Sequence, residues 1–174
     1  MPGIGSIIAA SATLTPMYAE RLIDGIKPET AASFARPGGV IINSNHPTFV
    51  FGHLNLYAIR VFTLLGLPTD AAKYPPEWDA LFKAGVECTD DPTCAKYPNF
   101  TELTAFFSRA YTAAIAAIRD ARDERFLAAN PAEGRMKELF PTIGAAITFY
   151  VGSHPQSHFG QVSAWRRMMG LPPA

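Results

Sequence analysis

Residues 140–169 read FPTIGAAITFYVGSHPQSHFGQVSAWRRMM, and the spacing of their apolar side chains decides the fold. Ile143, Ile147, Tyr150 and Val151 form a stripe, and further steps of three and four land on His154, His158, Val162 and Trp165. That period is helical, so the run is expected to be one long helix from about Phe140 to Met169 with both histidines facing inward. Pro155 stands against it. It lacks the N–H that would bond the carbonyl of Val151 and disfavours helical geometry at His154, so a kink or a restart is expected. In a restart, Ser153 or His154 caps the new segment and Pro155 sits in its first turn.

Helical spacing extends over most of the chain. Leu14, Tyr18, Leu22 and Ile26 recur every four residues in a first helix over about residues 4–26, where Pro16 marks either the first turn or a kink. A second helix from about Pro47 to Leu65 is apolar on almost every side, as suits a rod deep in a bundle. Asn45 or His46 opens it, and Gly66 and Pro68 stop it. The third begins at Asn99, a capping residue with Glu102 three positions on. Its stripe is Leu103, Phe107, Ala110, Ala114, Ala117 and Ala121, and it is expected to end near residues 128–134. Residues 68–98 form a long connection with a short extra helix at PEWDALFKAG; such a length implies a crossover or a role in shaping a site. Only GGVII at 38–42 resembles a strand. The expected fold class is all-α, a four-helix bundle with a long connection between helices 2 and 3, in one domain over 1–174.

Composition narrows the partners. Fifteen Lys and Arg balance fifteen Asp and Glu, so no surplus field exists to hold a phosphate backbone or an anionic membrane, and nucleic acid is excluded as an expected partner. The run RDARDERF at 119–126 reads as a solvated helix face with internal ion pairs. The opening MPGIGSIIAASATL has no basic residue before its apolar part, so it reads as a helix start rather than a signal peptide. With no transmembrane run expected, a soluble, cytoplasmic protein follows. Cys88 and Cys94 lack the spacing of a zinc hook and are expected to be free thiols.

The chemistry lies in histidine. His154 and His158, at i and i+4, sit close enough on one helix face for both rings to reach one cation. His53, next to Gly52 on the buried second helix, is the third candidate. Three imidazoles with an open fourth position suit a catalytic metal site. The plainer reading is a set of neutral core histidines bonded to carbonyls. His46 reads as a cap or an exposed ring two turns away.

NSNHPTFVFGHLNLY, PPEWDALFKAG with YPNFTEL, and HPQSHFGQVSAWRRMMGLP together resemble the DinB-like family of metalloenzymes over nearly the whole chain. The motif positions are Gly52-His53-Leu54, His154 with His158, Gly160-Gln161 and Arg166. The resemblance implies a four-helix bundle in which His53, His154 and His158 bind a divalent metal ion such as zinc or nickel, often in a homodimer. It also implies transfer chemistry on a low-molecular-weight thiol in preference to hydrolysis. The competing expectation is a noncatalytic bundle in which the metal or the histidine cluster serves stability or dimer formation. Gln161 and Arg166 read as supports of the site or as surface residues, and Cys88 or Cys94 becomes a fourth ligand if the long connection folds over the bundle mouth.

Overall fold

The computed structural model describes residues 2–174, and the regular elements among them are all helical. In chain order the helices are α1 (Ile4–Ala12), α2 (Leu14–Ile23), α3 (Pro47–Asn55), α4 (Ala58–Leu65), α5 (Trp78–Phe82), α6 (Phe100–Asp120), α7 (Asp123–Leu127), α8 (Arg135–Leu139), α9 (Ile143–Thr148) and α10 (His154–Met168). A π turn, Phe149–Ser153, joins the last two. The expected strand at 38–42 is a 3₁₀ turn followed by a lone bridge between Ala35 and Ile42, and Val40 and Ile41 point to solvent. α6 is the central rod: α1, α3 and α4 pack on it, while α10 packs on α2 and α3.

The expected helices are present, but three of the four are broken. Pro16 has no N–H for the carbonyl of Ala12, and the first helix bends at Thr13 into α1 and α2. The second breaks at Leu56 and Tyr57, whose N–H groups reach back only three residues, to His53 and Leu54. The Tyr111 hydroxyl donates to the carbonyl of Leu54 at 3.2 Å and supports that break. Pro47–Leu65 is long and apolar enough to span a bilayer, contrary to expectation, yet 78% of its apolar window is buried against the other helices.

The third helix ends at Asp120, short of the expected 128–134, because Ala121 and Arg122 turn extended. The turn has two uses. Asp123 accepts the N–H of Ile4 at 2.8 Å, and Arg125 Nε donates to the carbonyl of Leu64 at 2.7 Å. A carboxylate thus meets the start of α1 and a guanidinium the end of α4, each matching the helix dipole there. The run 119–126 therefore caps neighbouring helices; it is not a helix face of internal ion pairs, and among the described residues the one ion pair is Arg36 with Asp90.

The connection over 68–98 does shape the interior. α5 packs on α3 and buries Trp78 and Phe82. Farther on, Asp91 accepts the N–H groups of Ala95, Lys96 and Tyr97, and its own N–H bonds the carbonyl of Ala32 at 2.9 Å. Burial pushes that carboxyl up, but the three N–H donors and the Thr93 hydroxyl hold it below the usual range.

Candidate metal centre

All nine residues of α3 are buried, including His53, and the helix is opened by His46 and Pro47. His46 Nδ1 accepts the N–H of Phe49 at 3.1 Å, so its Nε2 carries the proton and donates to the carbonyl of Thr89, also at 3.1 Å. The cap was legible in the sequence. The exposed ring is wrong: His46 is fully buried, because the connection folds over it. Burial lowers its pKa from 6.5 to about 4. The folded state thus holds the ring neutral, and its contribution is complete above the unfolded pKa and lost as pH falls from 6.5 towards 4. Between pH 7.5 and 5 the native protein is expected to lose about 2 kcal/mol more than His46→Asn, whose amide oxygen keeps the cap without titrating. Urea unfolding at the two pH values checks this; equal losses would remove His46 as the cause.

The structure brings His53, His154 and His158 together, with one ligand nitrogen of each lying within 4.8 Å of the others. His53 Nδ1 is 2.7 Å from the carbonyl of Phe82 and must donate to it, which leaves the Nε2 lone pair facing His154. His158 Nδ1 donates to Gln161 Oε1 at 3.1 Å, and the same oxygen accepts from Asn45 Nδ2 at 3.1 Å. Two of the three rings are therefore oriented by oxygen acceptors, the usual support for imidazoles that present their other nitrogen to a metal. The third, His154, places Nε2 3.2 Å from that of His53, while its buried Nδ1 has no partner. Nitrogens around a tetrahedral zinc ion stand about 3.3 Å apart, so this spacing fits a shared ion.

Electrostatics keep the lone pairs free. Burial, and then the neighbouring His158 and His53, lower His154 to about 3. Burial also lowers His53 and His158. Three neutral imidazoles at neutral pH are what a divalent cation needs.

In the protein-family and curated-protein comparisons, the chain has no match.

At Pro155 the helix does not restart: Thr148, Phe149, Ser153 and His154 all keep right-handed helical dihedrals, and the irregularity is a π bulge within one run of helix. The turn before Pro155 widens, so that the His154 N–H bonds the carbonyl of Phe149, five residues back. α10 carries on from His154 with Pro155 in its first turn, and neither Ser153 nor His154 supplies a side-chain cap. Widening relieves the clash between the proline ring and the Val151 carbonyl. That carbonyl is not left bare: the Thr15 hydroxyl, from α2, donates to it at 2.6 Å. Thr15→Val is expected to cost about 2 kcal/mol by stranding a buried carbonyl, whereas Thr15→Ser keeps the donor and loses about 1 kcal/mol with its methyl. Urea unfolding of the pair decides; a valine no worse than serine would show that the hydroxyl does not hold the turn.

Of the other expected participants, Gln161 supports the site and Arg166 does not. Arg166 is buried on the carbonyls of Leu22, Asp24 and Pro172, where it ties the end of α2 to the C-terminal residues. Cys88 is buried and Cys94 exposed, both are free, and neither joins the three histidines. Burial pushes the Cys88 thiol up to about 11, away from thiolate. The sequence reading missed Tyr57, whose ring centroid lies 4.3 Å from that of His154 and 5.0 Å from that of His53. Its place four residues after His53, one helical turn on, was the available signal. A cavity of about 870 Å³ between α2 and the π turn is lined by Thr15, Tyr18, Gly152, Ser153 and Gln156, but by none of the histidines.

Proposed function

We propose that this protein is a metal-dependent enzyme related to the DinB-like proteins, with His53, His154 and His158 as the ligands of one divalent ion, zinc or nickel. The observation that carries the reading is the convergence of three neutral rings, two of them held by Phe82 and Gln161 so that Nε2 is free. In this reading α1 with α2, α3 with α4, α6, and α9 with α10 are the four rods of a single-domain bundle, working as a cytoplasmic homodimer. An ion held by these three rings would have an open position and would supply Lewis acidity there, lowering the pKa of a water or a low-molecular-weight thiol. The chain's part is to hold the rings: the Phe82 carbonyl fixes His53, Gln161 with Asn45 fixes His158, and the π turn sets His154. Thiol transfer is the reaction class this reading favours.

The 3.2 Å approach of His53 Nε2 to His154 Nε2 also suits one N–H···N hydrogen bond in a metal-free, noncatalytic cluster. Elemental analysis of protein purified without a metal-affinity tag separates the two. About one zinc or nickel per chain is expected; none would leave the hydrogen-bonded cluster.

A further inference from the structure

We propose that His154 is the exchangeable ligand of the three: it closes the site in the metal-free chain by bonding to His53, and it gives up its place on the ion to a small molecule that brings two donor atoms of its own; the second half of this statement rests on the metal-site reading. The hydrogens on the three rings carry the assignment. A carbonyl only accepts, so His53 carries its hydrogen on Nδ1, 2.7 Å from the Phe82 oxygen, and its Nε2 is a bare lone pair. His154 Nε2 lies 3.2 Å from that lone pair. Two bare nitrogens at this distance repel, so with no ion between them His154 carries its hydrogen on Nε2 and donates it to His53. His154 Nδ1, buried and without a partner, is then a bare acceptor.

One nitrogen cannot hold both a hydrogen and a metal ion. For His154 to join the other two as a ligand through Nε2, its hydrogen must sit on Nδ1, where no oxygen receives it. The rings packed around it are those of Tyr57, at 4.3 Å between centroids, and Phe149, at 5.2 Å. His53 and His158 undergo no such exchange, because each already donates from Nδ1, to Phe82 and to Gln161. An outer acceptor of this kind strengthens a metal-bound imidazole by about 10- to 100-fold. His154 lacks one and is therefore the ligand held least. The open position and the place of His154 together accept two donor atoms, and the released ring, again with its hydrogen on Nε2, donates to the incoming molecule.

The test is long-range proton–nitrogen NMR on the full chain, isotope-labelled at the histidine nitrogens, which tells a ring nitrogen bearing hydrogen from a bare or metal-bound one. In metal-free protein His154 is expected with hydrogen on Nε2, and His53 and His158 with hydrogen on Nδ1. Hydrogen on Nδ1 of His154 overturns the closed state. In zinc-loaded protein all three Nε2 atoms are expected on the metal, and saturating acetohydroxamate, a two-oxygen chelator, is expected to return His154 alone to its metal-free form. His154 still bound at saturation, or His158 released in its place, overturns the exchange. Zinc affinity gives a second measure. His154→Ala is expected to bind zinc no more than about tenfold more weakly than the native chain, against at least about 100-fold for His158→Ala, and equal losses overturn the ranking. Should the alanine variant fail to fold, the titration of the native chain decides. Failure of the metal reading is distinct: the native chain would then take up no zinc, and the metal-free spectrum would still decide whether His154 closes on His53.

Discussion

His158→Ala is expected to bind zinc at least about 100-fold more weakly than the native chain, because two imidazoles on a divalent ion fall one short of the ligand set of a catalytic site. Among the three histidines it gives the cleanest test. His53→Ala would strand the buried carbonyl of Phe82, and His154→Ala would disturb the turn that Pro155 shapes. His158 is only half buried, and its partner Gln161 keeps the Asn45 amide after the ring is gone. The metal-free variant should therefore unfold within about 1 kcal/mol of the metal-free native chain. A second readout comes from linkage: zinc at 100 times the native dissociation constant adds about 2.7 kcal/mol to the native stability and should add no more than about 0.4 kcal/mol to the variant. Elemental analysis and thermal unfolding with and without zinc measure both, and equal zinc content in the two proteins would remove His158 from the ligand set.

What the sequence disclosed of this site is what side-chain spacing can carry. The i and i+4 placement of His154 and His158 put both rings on one face, and Pro155 announced an irregularity between them. The partners that orient the rings were hidden for a physical reason. The acceptor for His53 is a backbone carbonyl 29 residues away, and the donor that satisfies Val151 lies 136 residues away. Every residue has a carbonyl, so no residue type flags the one that is used. The same holds for the helix ends. The irregularities at Pro16 and Pro155 could be read, whereas the breaks at Leu56–Tyr57 and Ala121–Arg122 contain no proline or glycine. They are set by tertiary partners: the Tyr111 hydroxyl at the first, and the capping uses of Asp123 and Arg125 at the second. His46 shows the limit from another side. Its position before Pro47 marked a cap, but nothing local told that Thr89 would close over the ring and bury it.

Gly52→Ala is expected to cost about 3 kcal/mol in stability and to lower zinc affinity about tenfold, through one displaced side chain. The glycine on α3 reads in the sequence as room for a helix or a ligand; the occupant is the Phe82 ring of α5, which a Cβ at position 52 would overlap at three carbon atoms. The ring cannot swing aside at small cost. It is fully buried, stacked on Tyr97 at 5.6 Å between centroids and edge-on to Phe49 at 5.9 Å. The strain must then move the α5 backbone, and the Phe82 carbonyl is what holds His53 Nδ1. Loss of such an outer partner typically weakens a metal site tenfold or more. A double variant tests the route. Phe82→Leu removes the ring edge but keeps the carbonyl, so Gly52→Ala with Phe82→Leu should be more stable than the sum of the single losses by at least about 1 kcal/mol and should regain zinc affinity relative to Gly52→Ala alone. Strict additivity in the urea unfolding of the four proteins would show that Gly52 is not kept clear by the ring, and that the link from α5 to His53 does not run through it.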